Sequence, residues 1–187
     1  MTLFLTQVFA LLAVAVLVGL GATLASPRFR AAVQPHAVGA AAAITGTATA
    51  GSLYLSEVAG YVPCELCWAQ RIFMYPVAVI LLVGLLARRP ATEAFRYAAP
   101  LAGLGLATSI WHVIIQRLPV SQGSCDPDNP CSAIIIERFG FLTIPTMAGI
   151  AFLAVLVLWG ITRGTGGVTP TTPEHDTRDL TSESIPS

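Results

Sequence analysis

The chain has 187 residues, 55% of them hydrophobic and only 11% charged, and its ten acidic side chains balance ten basic ones to a net charge of zero. A soluble domain carries about 25% charged residues, so this composition excludes a water-covered globule and calls for lipid around much of the chain. The neutral balance, in which every fixed cation is arginine, gives no basic surface for nucleic acid, and the length leaves no room for a soluble domain beside four or five spanning helices. No repeat of solenoid length is present.

A spanning helix needs about 20 mostly apolar residues, and five segments qualify in chain order. The first, Leu3 to Ala25, is free of charge. It ends in Thr23-Leu24-Ala25, as a signal peptide can, but it has no basic head and its apolar run exceeds the roughly 7–15 residues of such a peptide. It is therefore read as a retained helix. The second, His36 to Val58, is rich in Ala, Gly and Thr, small residues that let helix backbones approach closely. The third, Trp68 to Ala87, contains Arg71. The fourth, Tyr97 to Arg117, carries His112 near its end. The fifth, Phe141 to Ile161, has Pro145 in its first turns, where a kink is expected. From residue 163 the composition turns to Gly, Thr, Pro, Ser and charge without apolar periodicity, which predicts a disordered tail.

The arginines orient these segments. Arg28 and Arg30 follow the first, Arg88, Arg89 and Arg96 follow the third, and Arg163 and Arg178 follow the fifth. The positive-inside rule makes those stretches cytoplasmic. The N-terminus, the stretch around Gly60–Cys67 and the stretch Leu118–Gly140 then face outward, although Arg117 and Arg138 run against the bias.

All four cysteines fall at that outward end: Cys64 and Cys67 as a C-x-x-C, and Cys125 and Cys131 flanking Asp126-Pro127-Asp128-Asn129-Pro130. An oxidising outer compartment lets disulfides persist. The C-x-x-C follows Pro63 and opens an apolar helix, so both sulfurs lie near a helix N-terminus, which favours a thiolate. Arg71 stands four residues after Cys67 and seven after Cys64, on the same helical face and one to two turns deeper. An arginine at a membrane-helix centre costs about 2.5–3.5 kcal/mol on insertion scales, less near the interface, so a task is expected for it. An anionic or quinoid acceptor beside the sulfurs supplies one. The competing readings are a zinc site of four cysteines, two structural disulfides in a small membrane scaffold, and Arg71 as a snorkelling anchor. Four cysteines allow three pairings, and the residues alone leave the choice open.

The run Cys64-Glu65-Leu66-Cys67-Trp68-Ala69-Gln70-Arg71 resembles the motif of the disulfide-bond formation protein B family, DsbB, and the short spacing of Cys125 and Cys131 resembles its BdbC branch. Leu142-Thr143-Ile144-Pro145-Thr146 is similar to the family's last helix, and the resemblance covers roughly residues 40–162. It implies an all-α integral membrane protein, a four-helix transmembrane bundle over residues 36–162 in the inner (cytoplasmic) membrane. Here one extra N-terminal transmembrane helix and a cytoplasmic loop (1–35) precede the bundle, and the tail (163–187) follows it. It implies a quinone cofactor, ubiquinone or menaquinone, and an extracytoplasmic thioredoxin-fold partner of the DsbA or BdbD kind. Carried over, Cys125 is the sulfur attacked by the partner, Cys131 resolves toward Cys64, and Cys67 meets the quinone, with Arg71 and His112 as quinone-site residues. No metal is expected. Electrons would run from Cys125/Cys131 to Cys64/Cys67 to quinone. The rival vitamin K epoxide reductase-like family has its loop cysteines before the C-x-x-C, the reverse of the order here. A reductase exporting electrons would need an inner cysteine, and none is found.

Overall fold

The structure is a computed structural model, and it describes residues 2–118, 125–126 and 128–163. The tail beyond residue 163, and Pro127 in the loop between Cys125 and Cys131, lie outside the described residues. Among the described residues, five helices are long and apolar enough to cross a membrane. Helix α1 spans Thr2–Ala25. A short helix α2, Pro27–Val33, begins at Ser26, whose hydroxyl accepts the Phe29 N–H, and one tight turn, Gln34–His36, leads into α3, Ala37–Leu53. Helix α3 widens into a π turn at Tyr54–Val58. Helices α4, α5 and α6 span Glu65–Leu86, Ala91–Arg117 and Ile144–Arg163.

Helices α3 to α6 form a ring in which each packs on the next and α6 returns to α3, while α1 lies outside the ring against α6. The ring centre is apolar. Val77 and Leu81 of α4, Phe95 of α5 and Phe152 and Val155 of α6 are fully buried, and Ala37, Ala41, Ala98 and Ala102 bring the backbones close. Gly105 shows why small residues are required. A Cβ there would run into the Phe152 ring, so α5 and α6 meet at this glycine only because it has no side chain.

The five expected spans are present, with shifted ends. Helix α4 starts at Glu65 rather than Trp68, so Cys67 lies in its first turn and Cys64 at its cap instead of in a loop. Helix α5 starts at Ala91, one residue after Pro90, which draws Arg96 out of the expected loop and into the helix. Pro145 is the second residue of α6, where its missing N–H has no intrahelical partner to lose, so it starts the helix rather than kinking it. The stretch between α5 and α6, expected as loop, closes on a small hairpin. Strands β1, Glu137–Arg138, and β2, Leu142–Thr143, pair antiparallel, and Phe139 and Gly140 both take positive φ in the turn. The two arginines that contradict the charge bias are tied down here. Arg117 pairs with Glu137 at 2.6 Å, and Arg138 donates to the Thr6 hydroxyl of α1 at 2.8 Å.

Gly105→Ala is expected to destabilise the bundle by about 1–3 kcal/mol, the usual cost of overpacking. Gly103→Ala, whose Cβ would meet nothing within 4 Å, is expected to be neutral or slightly stabilising. Thermal unfolding in detergent measures both.

Candidate active site

The ends of α4 and α5 and the loop after α5 meet at one end of the bundle, and the cysteines meet with them. Cys64, Ile115 and Cys131 form one buried cluster against which Leu66, Cys67 and Cys125 pack. Cys125 and Cys131 are joined by a disulfide with Cα atoms 6.0 Å apart, and Cys64 and Cys67 are free thiols with sulfurs 3.1 Å apart. This is one of the three pairings that four cysteines allow. Cys131 is buried at 1% exposure and Cys125 is half-buried, flanked by exposed Asp126.

Local structure explains the C-x-x-C. Pro63 precedes Cys64, which is extended (φ −69°, ψ 171°) and caps α4, and its carbonyl accepts the first helical bond, from the Trp68 N–H, at 3.0 Å. That leaves the Cys67 amide among the unsatisfied donors of the first turn. The Cys64 thiol is lowered from 9.0 to about 4, first by its hydrogen bond with Cys67 Sγ, then by His112 and by the Cys67 amide, against a burial that raises it.

His112, expected at a quinone site, sits instead between the two cysteine pairs. It is buried at 1% exposure, with Nε2 3.8 Å from Cys64 Sγ and 3.1 Å from the Cys131 carbonyl oxygen. Its Nδ1 lies 3.2 Å from Gln70 Nε2. A carbonyl only accepts and an amide nitrogen only donates, so the network assigns the proton to Nε2 and makes Nδ1 the acceptor. Gln70, buried beside Arg71 on α4, had no role in the sequence reading. Its place in the C-x-x-C run, three residues after Cys67, was the available signal.

A cavity of about 350 Å³ opens beside the sulfurs, walled by α1, α3, α4 and α6. Cys67 lines it and the other three cysteines do not. Arg71, Gln70, Met74 and Tyr75 continue the same wall, whereas His112 is not part of it. Arg71 is buried and held. Its Nε donates to Ser52 Oγ at 2.9 Å and its Nη2 to the Ser52 carbonyl at 2.9 Å, just before the π turn of α3, with its guanidinium carbon 5.1 Å from the Trp68 ring centre. A snorkelling anchor would reach for water, so this burial argues for a role inside. Ser52 carries no motif and escaped the sequence reading. The Tyr75 hydroxyl also belongs to a cavity-lining residue, and it is buried with no hydrogen-bond partner among the described residues. Arg71 retains N–H donors beyond those Ser52 takes. Apolar walls with a few converging donors are the make-up of a small-molecule site, and an apolar ligand bearing carbonyl oxygens matches them. Cys64, Cys67 and His112 also place three metal-ligating atoms within 4.8 Å of one another.

Residues 30–162, more than half of the chain, match the family described as Disulfide bond formation protein DsbB. A "Probable disulfide formation protein" of Oceanobacillus iheyensis is 44% identical over 117 residues, covering 59% of this chain and 77% of that protein. "Disulfide bond formation protein C" of Bacillus subtilis is 41% identical over 116 residues, 61% of this chain and 83% of that one. The "SPbeta prophage-derived disulfide bond formation protein B" of Bacillus subtilis is 39% identical over 108 residues, 57% and 72% of the two chains. No solved structure matches. The chain belongs to the DsbB family of disulfide bond formation proteins, as a multi-pass membrane oxidoreductase with a role in disulfide formation.

Proposed function

We propose that the protein oxidises an extracytoplasmic dithiol protein of thioredoxin fold and passes the electrons to a membrane quinone, with its cysteine end facing outward from the cell membrane. The observation that carries this reading is that all four cysteines gather at one cluster, Cys64 and Cys131 buried in it and Cys67 and Cys125 packed against it, and that of the four Cys67 alone reaches the cavity. The cavity residues suit a quinone: Arg71 and Tyr75 would donate to its carbonyl oxygens, and the apolar walls would hold the rest. When bound, the quinone supplies an acceptor for two electrons and two protons.

The chain's own residues do the exchange. Cys125, half-buried and followed by exposed Asp126 and Asp128, takes the attack of a partner thiolate. The Cys125–Cys131 bond breaks and Cys131 leaves as a thiolate. The partner's second thiol then displaces Cys125, so the partner gains a disulfide and two electrons with two protons pass to Cys125 and Cys131. In the oxidised enzyme Cys131 attacks Cys64 of a Cys64–Cys67 disulfide and releases Cys67 at the cavity wall. Cys125 closes again on Cys131 and expels Cys64. A thiol held at a low pKa leaves faster in such exchange, and the hydrogen bond with Cys67 Sγ, aided by His112 and the Cys67 amide, gives Cys64 that property. Arg71 holds positive charge beside Cys67, where negative charge develops as the electron pair leaves the protein.

Cys125→Ser is expected to abolish oxidation of a reduced thioredoxin-fold partner while quinone binding stays at the wild-type level, read by thiol trapping beside calorimetry. Normal partner oxidation would move the point of attack elsewhere. Arg71→Ala is expected to raise the KM for quinone roughly tenfold or more, and an unchanged quinone dependence would reduce Arg71 to a structural clamp. The thiolate of a group with a lowered pKa persists as pH falls and is lost only near that pKa. Alkylation of Cys64 by iodoacetamide in the reduced protein should therefore hold its rate from pH 8 to below 6, unlike a free cysteine with a pKa of about 8.5. His112→Ala should shift the fall-off to higher pH, as mass spectrometry of trapped peptides can show.

A further inference from the structure

Helix α1 lies outside the matched region, which begins at residue 30, yet it completes the cavity. Phe9, Leu12, Ala13 and Val16 line it, at the i, i+3, i+4, i+7 spacing of a single helical face. The helix is seated by small residues. Ala10, at 0% exposure, and Ala13 pack with Leu142 and Ile150 of the β2–α6 segment. Its outer end is tied by the hydrogen bond from Arg138 to the Thr6 hydroxyl. On the far side the Phe9 ring lies over Gly51 of α3, where a Cβ would come within 3.0 Å of the ring. At this point α1 and α3 meet through the Phe9 ring on Gly51, and both residues line the cavity.

The two walls differ in chemistry. Cys67, Gln70, Arg71 and Tyr75 stand on α4, with Thr47 and Ser52 on α3 and Tyr61 before α4 adding polar atoms, whereas α1 contributes hydrocarbon only. A ligand oriented by these walls turns its oxygens to α4 and its apolar part to α1. Resting on the quinone reading above, we propose that α1 is a binding wall for the hydrocarbon tail of the quinone, with Phe9 and Val16 as specificity-determining residues that select tailed over tail-less quinones. An acyl chain of a membrane lipid shares this hydrocarbon chemistry, so the test must separate tail recognition on a quinone ring from mere oiliness of the cavity.

The test measures equilibrium binding rather than turnover. Purified full-length protein in one detergent is titrated calorimetrically with 2,3-dimethoxy-5-methylbenzoquinone and with the same ring bearing a decyl chain. Val16→Trp fills the wall, Phe9→Ala opens it by removing atoms only, and Val18→Trp adds equal bulk at a position 67% exposed. The proposal expects the decyl compound to bind roughly tenfold more weakly to Val16→Trp and several-fold more weakly to Phe9→Ala. The tail-less ring should bind all variants alike, and Val18→Trp should match the wild type. Unchanged decyl binding in both wall variants, or equal weakening for both compounds, overturns it. Arg71→Ala distinguishes the two levels of the account. If it weakens both quinones while the α1 variants change nothing, the quinone reading stands and α1 is only an anchor. If the wild type binds neither compound, the quinone reading fails and the tail wall falls with it.

Discussion

One buried side chain ties the two cysteine pairs to the helix that carries the cavity wall. His112, sealed from solvent on α5, reaches the Cys64 sulfur and the Cys131 carbonyl with one nitrogen and receives Gln70 of α4 with the other. A buried imidazole is costly unless both nitrogens are satisfied. Here satisfying them joins α4, α5 and the disulfide loop. The same contacts that pay for the burial bring the Cys125–Cys131 disulfide and the Cys64/Cys67 pair into one apolar cluster.

A second constraint comes from lipid. Polar groups within a membrane must find partners inside the protein. Arg71 does so on the Ser52 hydroxyl and carbonyl, which ties α4 to α3 at the π turn and fixes the guanidinium at the cavity. On α4, periodicity then places Cys67, Arg71 and Tyr75 along one wall. The four cysteines differ in access: Cys67 opens to the apolar cavity, Cys125 is the more exposed residue of its pair, and Cys64 and Cys131 are buried.

Much of this was legible in the sequence, for definite reasons. Length and hydropathy marked the spans, because a bilayer demands long apolar runs whatever their neighbours. The Cys64/Cys67/Arg71 face followed from helical spacing within a single segment. Groups that act across segments were not legible. Ser52 is an ordinary residue of α3 until α4 packs beside it, and His112 could be placed near the cysteines by resemblance but not between them. Helix α1 is apolar on every side, so its pattern does not reveal which face lines a cavity. The hairpin around Phe139 and Gly140 is two residues per strand, too short for any periodicity to register.

The central claim is that the four sulfurs form one conductor from a protein dithiol to a quinone. Its most direct test is anaerobic stoichiometry: a reduced thioredoxin-fold partner and a benzoquinone are mixed with catalytic amounts of the protein, and quinone absorbance and partner thiols are followed together. The account predicts that each partner disulfide formed consumes one quinone, and that Cys67→Ser stops quinone consumption while the Cys125–Cys131 bond can still be reduced once by the partner. Partner oxidation without matching quinone loss, or full turnover in Cys67→Ser, would contradict it.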